Sequence, residues 1–328
     1  MRAVVCRGWG DPESLKLEDV AEPEAGPGQV KLAVCAAGVN FADTLMAAGK
    51  YQEKPPFPFS PGLEVAGVIE ALGPGVTGLT VGQRVMAVLD YGGFAEYAVA
   101  NAVDVFPLTD SMDFATAAGF PITYGTSHVA LVERAGLRAG ETLLVHGAAG
   151  GVGLTAVEIG KALGATVIAT AGGADKLAVA AAHGADHLID YKSEDIRERV
   201  KALTGDRGAD VVYDPVGGEV FEKSLRCVAW DARLLVIGFT GGGVPKIPAN
   251  ILLVKNCAVI GLYWGSYRRH KPQVIADSFQ DLFRLFDQGK LQPLVSQTLP
   301  LDQAPEALRL LLDRRSTGKV VLSLRNTV

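Results

Sequence analysis

From about residue 140 the chain repeats one short cycle: a brief apolar run, a turn, and a stretch with helical apolar spacing. Thr142–Val145 leads into Val152–Leu163, and Thr166–Thr170 leads into Asp175–His183. His187–Asp190 leads into Asp195–Thr204, then Ala209–Tyr213 follows, with Ala232–Ile237 and Ala258–Leu262 as further strands. Short strands separated by helices pair in parallel, because each crossover back to the same edge needs a helix. The cycle therefore predicts an α/β fold with a doubly wound parallel sheet.

Between the first strand of that series and its helix stands His146-Gly147-Ala148-Ala149-Gly150-Gly151-Val152-Gly153. The Rossmann fingerprint needs one small residue for a tight turn, one where the backbone meets a pyrophosphate, and one for close helix–strand packing. Ala148, Gly150 and Gly153 take those places. The amides at the helix start, Gly151 and Val152 among them, are then free to receive the pyrophosphate, helped by the helix dipole. A strand before the loop and a helix after it supply the context that gives such a pattern meaning. The end of the second strand selects the dinucleotide. An acid there would bind the ribose 2′-hydroxyl of NADH, but the chain reads Thr170-Ala171-Gly172-Gly173, with Lys176 close behind. A missing carboxylate and a nearby cation suit the 2′-phosphate of NADPH.

The first 120 residues lack this rhythm. Val30–Val34, Val65–Leu72 and Arg84–Leu89 read as strands between Gly and Pro punctuation, and Pro55–Gly62 is too proline-rich for helix interior. Beyond Ser266 the pattern predicts helices at Val274–Phe286 and Ala304–Leu312 and a strand at Lys319–Leu324.

Several function classes are excluded by composition. The net charge of −5 comes without a basic block, which argues against nucleic acid as a partner. No apolar run approaches the ~20 residues of a membrane span, and the N-terminus lacks the apolar core of a signal peptide, so a cytoplasmic location is expected. Cys6, Cys35, Cys227 and Cys257 have neither zinc-finger nor redox spacing and read as buried thiols. Among His128, His146, His183, His187 and His270 only His183 and His187 are close in sequence, and they fall on a helix end and the next strand. No metal site is expected from these ligands. No Gly-x-Ser-x-Gly nucleophile motif occurs either. What remains is chemistry carried by a cofactor.

Further landmarks run the length of the chain: Ala36–Asp43, Pro61–Gly67, Gly92–Tyr97, Asp214–Gly218 and Thr317–Lys319. With the loop at Gly147–Gly153, they make the chain resemble the zinc-independent quinone oxidoreductase and zeta-crystallin branch of the medium-chain dehydrogenase/reductase superfamily. The resemblance implies a GroES-like β-rich domain, residues 1–122 completed by 265–328, with the NADPH-binding Rossmann domain, 123–264, inserted in it. Zinc-dependent relatives carry a cysteine near Asn40 and a His-Glu pair after Gly62. Asn40 and Leu63 stand there instead, and the cysteine-rich zinc lobe is missing after Leu89.

Carried over by position, the resemblance implies catalytic roles for Asn40, Asp43 and Tyr51, with Asn40 also beside the nicotinamide. Thr123 is expected at the nicotinamide ribose or phosphate, and Gly150, Gly151, Val152 and Gly153 at the pyrophosphate. Lys176 and Tyr191 are expected to grip the 2′-phosphate over Gly172, with Arg314 or Lys319 as a third contact. Gly238, Phe239, Tyr263 and Trp264 lie at strand ends expected to flank the nicotinamide. The implied activity is hydride transfer from NADPH to a quinone or another small conjugated carbonyl, in a homodimer or homotetramer. Two alternatives stay open: an enoyl-thioester reductase, for which the basic run Arg268, Arg269, His270 and Lys271 would serve, and a non-catalytic crystallin-like or RNA-binding use of the fold.

Overall fold

The computed structural model describes residues 1–325. The N-terminal part holds strands β1 (Arg2–Val5), β2 (Lys16–Asp19), β3 (Gln29–Val39), β4 (Glu64–Leu72), β5 (Arg84–Val88), β6 (Tyr97–Asn101) and β7 (Val105–Pro107), with helices α1 (Phe41–Ala47) and α2 (Phe114–Ala118). There follow α3 (Pro121–His128), β8 (Thr142–Val145), α4 (Gly151–Ala162), β9 (Thr166–Ala171), α5 (Ala174–Ala182), β10 (His187–Asp190) and α6 (Ile196–Leu203). The series continues with β11 (Ala209–Asp214), α7 (Gly218–Ser224), β12 (Val228–Val236), α8 (Ala249–Lys255), β13 (Ala258–Gly261), α9 (Trp264–His270) and α10 (Pro272–Asp287). The chain closes on β14 (Val295–Pro300), α11 (Ala304–Leu312) and β15 (Lys319–Ser323). These elements form two compact units, Met1–Ile122 with Pro293–Val328, and Thr123–Gln292.

The first unit is organised by β3. Its first half pairs with β6, its second half with β15, and β4 runs antiparallel along its other edge. The resulting seven-stranded sheet has the order β14-β15-β3-β4-β5-β7, with β6 also on β3. Val30, Leu32 and Val34 alternate inward along β3, as a strand with one buried face requires. They join Ile69, Val85 and Val320 in one apolar core.

The second unit has a six-stranded parallel sheet in the order β10-β9-β8-β11-β12-β13, the doubly wound Rossmann arrangement. Leu143, Leu144, Val145, Val211 and Val212 are fully buried, because helices cover both faces of such a sheet and its strands read as continuous apolar runs. Strand order reverses between β8 and β11, which puts the glycine loop after β8 at the switch point where such sheets bind ligands.

One expected boundary moves. Residues 265–292 belong to the second unit, not to the β-rich domain. The apolar stripe of α10, Ile275, Phe279, Leu282 and Leu285, is buried, and Trp264 meets Phe279 edge-on at 6.5 Å. Ser278 shares a hydrogen bond of 3.0 Å with His128, and Lys271 forms a 2.9 Å ion pair with Glu133. A helical period says that a face will be buried, but not against which sheet. Among the described residues, no helix is long and apolar enough to cross a membrane.

Candidate functional site

The glycine loop is shaped by its backbone. Gly147 has φ +58°, a conformation that disfavours a side chain, so the tight turn falls there and not at Ala148. A Cβ on Gly153 would lie 2.2 Å from the Gly147 carbonyl oxygen, so only glycine lets α4 start this close to β8. A Cβ on Gly150 would stand 3.4 Å from the same oxygen, an ordinary contact, so the fold alone does not require glycine at that position. The first bond of α4 runs from the Leu154 amide to the Gly150 carbonyl, which leaves the amides of Gly151, Val152 and Gly153 without an intrahelical acceptor.

Buried side chains lock this loop in place. The Ser224 hydroxyl donates to the Val220 carbonyl at 2.8 Å, so at 2.7 Å it accepts from Nε2–H of His146. Nδ1 of His146 is then bare and accepts from the Thr170 hydroxyl at 3.0 Å. Burial pushes the His146 pKa down, against the opposing charge of Asp214, and keeps the ring neutral. Thr123 is buried, and its carbonyl accepts from the Thr155 hydroxyl on α4 at 3.1 Å. The Ser127 hydroxyl meets the Val152 carbonyl, Thr155 and the phenol of Tyr213 within 2.9 Å. Glu158 on α4 binds His183 at 2.5 Å and accepts from the Tyr124 phenol at 2.6 Å.

The end of β9 makes a second cradle. A Cβ on Gly172 would lie 2.6 Å from the Tyr191 hydroxyl oxygen and 2.9 Å from Cε of Lys192, so the phenol lies over the glycine and a lysine stem lies beside it. The Asp190 carboxylate is turned into this turn: its Oδ1 accepts from the amides of Gly173 at 3.1 Å and Lys192 at 3.0 Å. Lys176 sits in the first turn of α5, where the helix dipole opposes a cation and favours an anion. These are the features a 2′-phosphate needs: donors, positive charge, and a glycine that admits close approach. Lys192 was not among the expected residues. Its position beside Tyr191 was the available signal.

Farther along the sheet, Gly238 and Phe239 follow β12, and the Phe239 ring, 41% exposed, rests against Gly217. Oδ1 of Asp214 accepts from the amides of Val216 and Gly217, while Oδ2 is buried and unpartnered among the described residues. Tyr263 is half-buried at the N-cap of α9.

Three of the expected site residues are buried and engaged within the fold. Trp264 is buried core: its ring lies on Gly125, where a Cβ would meet Cζ2 at 2.6 Å, and it is not offered to a ligand as the resemblance implied. Asp43 is fully buried. Its Oδ2 accepts from the Asn40 amide at 2.8 Å and its Oδ1 from the Gly62 amide at 3.2 Å, so it caps α1 and is not open to a substrate. Lys319 is not a phosphate contact either. Its ammonium donates to the Val39 carbonyl at 2.9 Å and to Asn40 Oδ1 and Glu64 Oε1, both at 2.8 Å, which uses all three protons.

These side chains form a closed network in the first unit. Glu64 is fully buried, with Oε1 also accepting from Asn40 Nδ2 at 2.9 Å and Oε2 from the Ile122 amide at 2.8 Å. Gly38 makes room for it, since a Cβ there would lie 2.4 Å from Glu64 Oε1. A buried carboxylate demands a countercharge, and β15 supplies it through Lys319. Tyr51 is half-buried against the apolar core, and Arg314 stands exposed with φ +55° in the turn after α11. Arg268, Arg269 and His270 form the last turn of α9. Leu63, where zinc-dependent relatives carry a histidine, is buried in the core. Among the described residues, no group of three or more metal-binding side chains converges.

Comparisons agree with this layout. Residues 26–110 match the alcohol dehydrogenase GroES-like domain, and residues 151–281 match the zinc-binding dehydrogenase family. A quinone oxidoreductase-like protein 2 homolog of Nematostella vectensis is 43% identical over 99% of this chain and 89% of its own length. The Escherichia coli quinone oxidoreductase, solved in complex with NADPH, superposes with a TM-score of 0.92 at 30% identity, over 98% of this chain and 100% of its own. The Thermus thermophilus quinone oxidoreductase, also solved with NADPH, gives 0.87 at 36% identity, covering 99% and 100%.

Proposed function

Because this chain belongs to the quinone oxidoreductase family of medium-chain dehydrogenases/reductases, we propose that it uses NADPH to reduce a quinone or another small conjugated carbonyl. The observation that carries this reading is the cradle at the end of β9, where Tyr191 and Lys192 lie against Gly172, Lys176 stands in the first turn of the following helix, and the Asp190 carboxylate is engaged by backbone amides. Gly150–Gly153 would hold the pyrophosphate on the amides that α4 leaves open. Bound NADPH supplies a hydride. The chain contributes position and hydrogen bonds: the acceptor carbonyl needs a donor where its negative charge develops, and a proton completes the reduced product. The family resemblance puts Asn40, Asp43 and Tyr51 forward for the donor role; of these, Asn40 is already held at both ends of its amide.

The reaction is proposed to need no zinc. The support is chemical: Asn40 is bonded to an ammonium and a carboxylate, and Leu63 offers no ligand atom. Elemental analysis finding one tightly held zinc per chain would overturn this. A homodimer or homotetramer in the cytoplasm completes the reading. Its supports are β13, which among the described residues pairs with β12 alone, and the four free, buried thiols.

The deciding experiment follows oxidation of NADPH and of NADH with a quinone, an enone and an enoyl-thioester. Turnover with NADPH and the quinone or enone is expected. Turnover with the thioester alone would make the chain an enoyl-thioester reductase, and no turnover with any acceptor would make it a non-catalytic binding protein.

A further inference from the structure

We propose that the Rossmann unit carries a second ligand site, at the edge of its sheet opposite the glycine loop, that takes a nucleotide-sized phosphorylated molecule with a flat ring. The site is a cavity of about 570 Å³ between α6, α8 and the N-terminal ends of β11 and β12. The glycine loop follows the C-terminal end of β8, and all six strands run parallel, so the two places lie at opposite sheet edges.

Charge is the first argument. Arg197, Lys201, Arg207, Arg226 and Lys255 line the cavity, with Asp206 as its one acid, on a chain whose net charge is −5. Two of the cations are engaged: Arg207 with Asp210 and Thr142, and Lys255 with the Val228 carbonyl at 2.8 Å. The side chains of Arg197, Lys201 and Arg226 have no hydrogen-bond or ion-pair partner among the described residues. Arg197 and Lys201 stand four apart on α6, so two like charges share one helix face, an arrangement that destabilises the helix unless an anion answers it. The Lys255 ammonium shows the same strain: burial lowers its pKa, and Lys201 and Arg197 lower it further. Folding thus brings like charges from α6, α8 and the turn before β12 to one concavity, and a phosphate group would reverse the repulsion.

The second argument is the wall. Trp230 is 71% exposed and Val254 77% exposed, and both line the cavity. An exposed indole beside guanidinium and ammonium groups is a stacking surface for a planar base. The volume falls within the usual range for small-molecule sites and suits a mononucleotide.

The test is calorimetric titration of ADP into protein already saturated with NADPH, so that the dinucleotide site is filled. One ADP per chain is expected to bind and to quench tryptophan fluorescence. Lys201→Glu and Arg226→Glu should each weaken ADP by about tenfold or more while leaving the NADPH dissociation constant unchanged, which also shows that the variants fold. Trp230→Ala should cost about fivefold or more, and inorganic pyrophosphate should bind correspondingly less tightly than ADP. No ADP binding at millimolar concentration, or binding that ignores both charge reversals, would overturn the site. Pyrophosphate binding as tightly as ADP would overturn recognition of the ring. A single-stranded oligonucleotide binding far more tightly than ADP would overturn the small-molecule assignment in favour of nucleic acid.

Discussion

Replacing Lys319 with methionine keeps most of the side chain's length and apolar stem but removes the ammonium. Glu64 is then left fully buried without a countercharge, and Val39 and Asn40 each lose a donor. Breaking a buried pair from one side typically costs about 3–5 kcal/mol, because the surviving charge can neither ionise cheaply nor reach water. In a unit of this size each kcal/mol moves the melting temperature by about 2–4 °C, so a fall of about 6–20 °C is expected for its transition. The assay is thermal and urea unfolding of wild type, Lys319→Met, Glu64→Gln and the double variant. The double variant should recover part of the loss, because the orphaned charge is gone. Dissociation constants for NADPH and NADH complete the test: their ratio should not change in Lys319→Met, since no proton of this ammonium is left for a phosphate. A loss below about 1 kcal/mol would mean that the pair behaves like an exposed one. A selective loss of NADPH would restore the role that family resemblance gave this lysine and refute the network.

Three further outcomes are expected. Lys176→Ala should weaken NADPH about tenfold or more and leave NADH nearly unchanged, since one charge-assisted bond is worth about 1.5–3 kcal/mol; equal losses for both cofactors would show that the lysine acts through the fold. Gly153→Ala should cost about 1–3 kcal/mol of stability, because the new methyl meets a backbone carbonyl that cannot move aside, whereas Gly150→Ala should leave stability intact and lower only cofactor affinity; similar melting temperatures for the two variants would contradict this. Burial pushes the Asp43 carboxyl up to about 7, against the Asn40 amide bond and the Lys319 charge. A pKa raised in the folded state stabilises below the unfolded value of about 3.9 and loses that stabilisation as pH climbs through about 7. The stability of wild type relative to Asp43→Asn should therefore fall by up to about 4 kcal/mol over that window in urea titrations, and a difference independent of pH would refute it.

The parallel sheet was legible because strands buried on both faces leave uninterrupted apolar runs, as in Leu143–Val145 and Val167–Ala169. Where a strand deviates, the pattern misled. β12 begins at Val228, not Ala232, since Trp230 and Asp231 break the apolar run at a shift of register against β11, with Asp231 at φ +63°. The far half of β3, from Cys35 to Val39, is built of small residues with weak strand preference and is held by its pairing with β15. The local residues of the candidate site, Gly172, Lys176 and Tyr191, lie close in sequence and could be read there. Lys319 could not, because its partner Glu64 lies 255 residues away and nothing in the local sequence marks that contact. His146 and Ser224, 78 residues apart, were hidden for the same reason.

The central strand β3 is completed by β15, the last strand among the described residues, while the Rossmann unit is one uninterrupted segment between them. On the ribosome this inverts the usual order of events. The Rossmann unit has all its residues before β15 is made, so the part of the protein that begins first must finish last. Until Lys319–Ser323 emerges, one edge of β3 is open and Glu64 has no cation to accompany it inside. The nascent N-terminal region thus carries an open strand edge and an unpaired carboxylate for as long as β15 is missing.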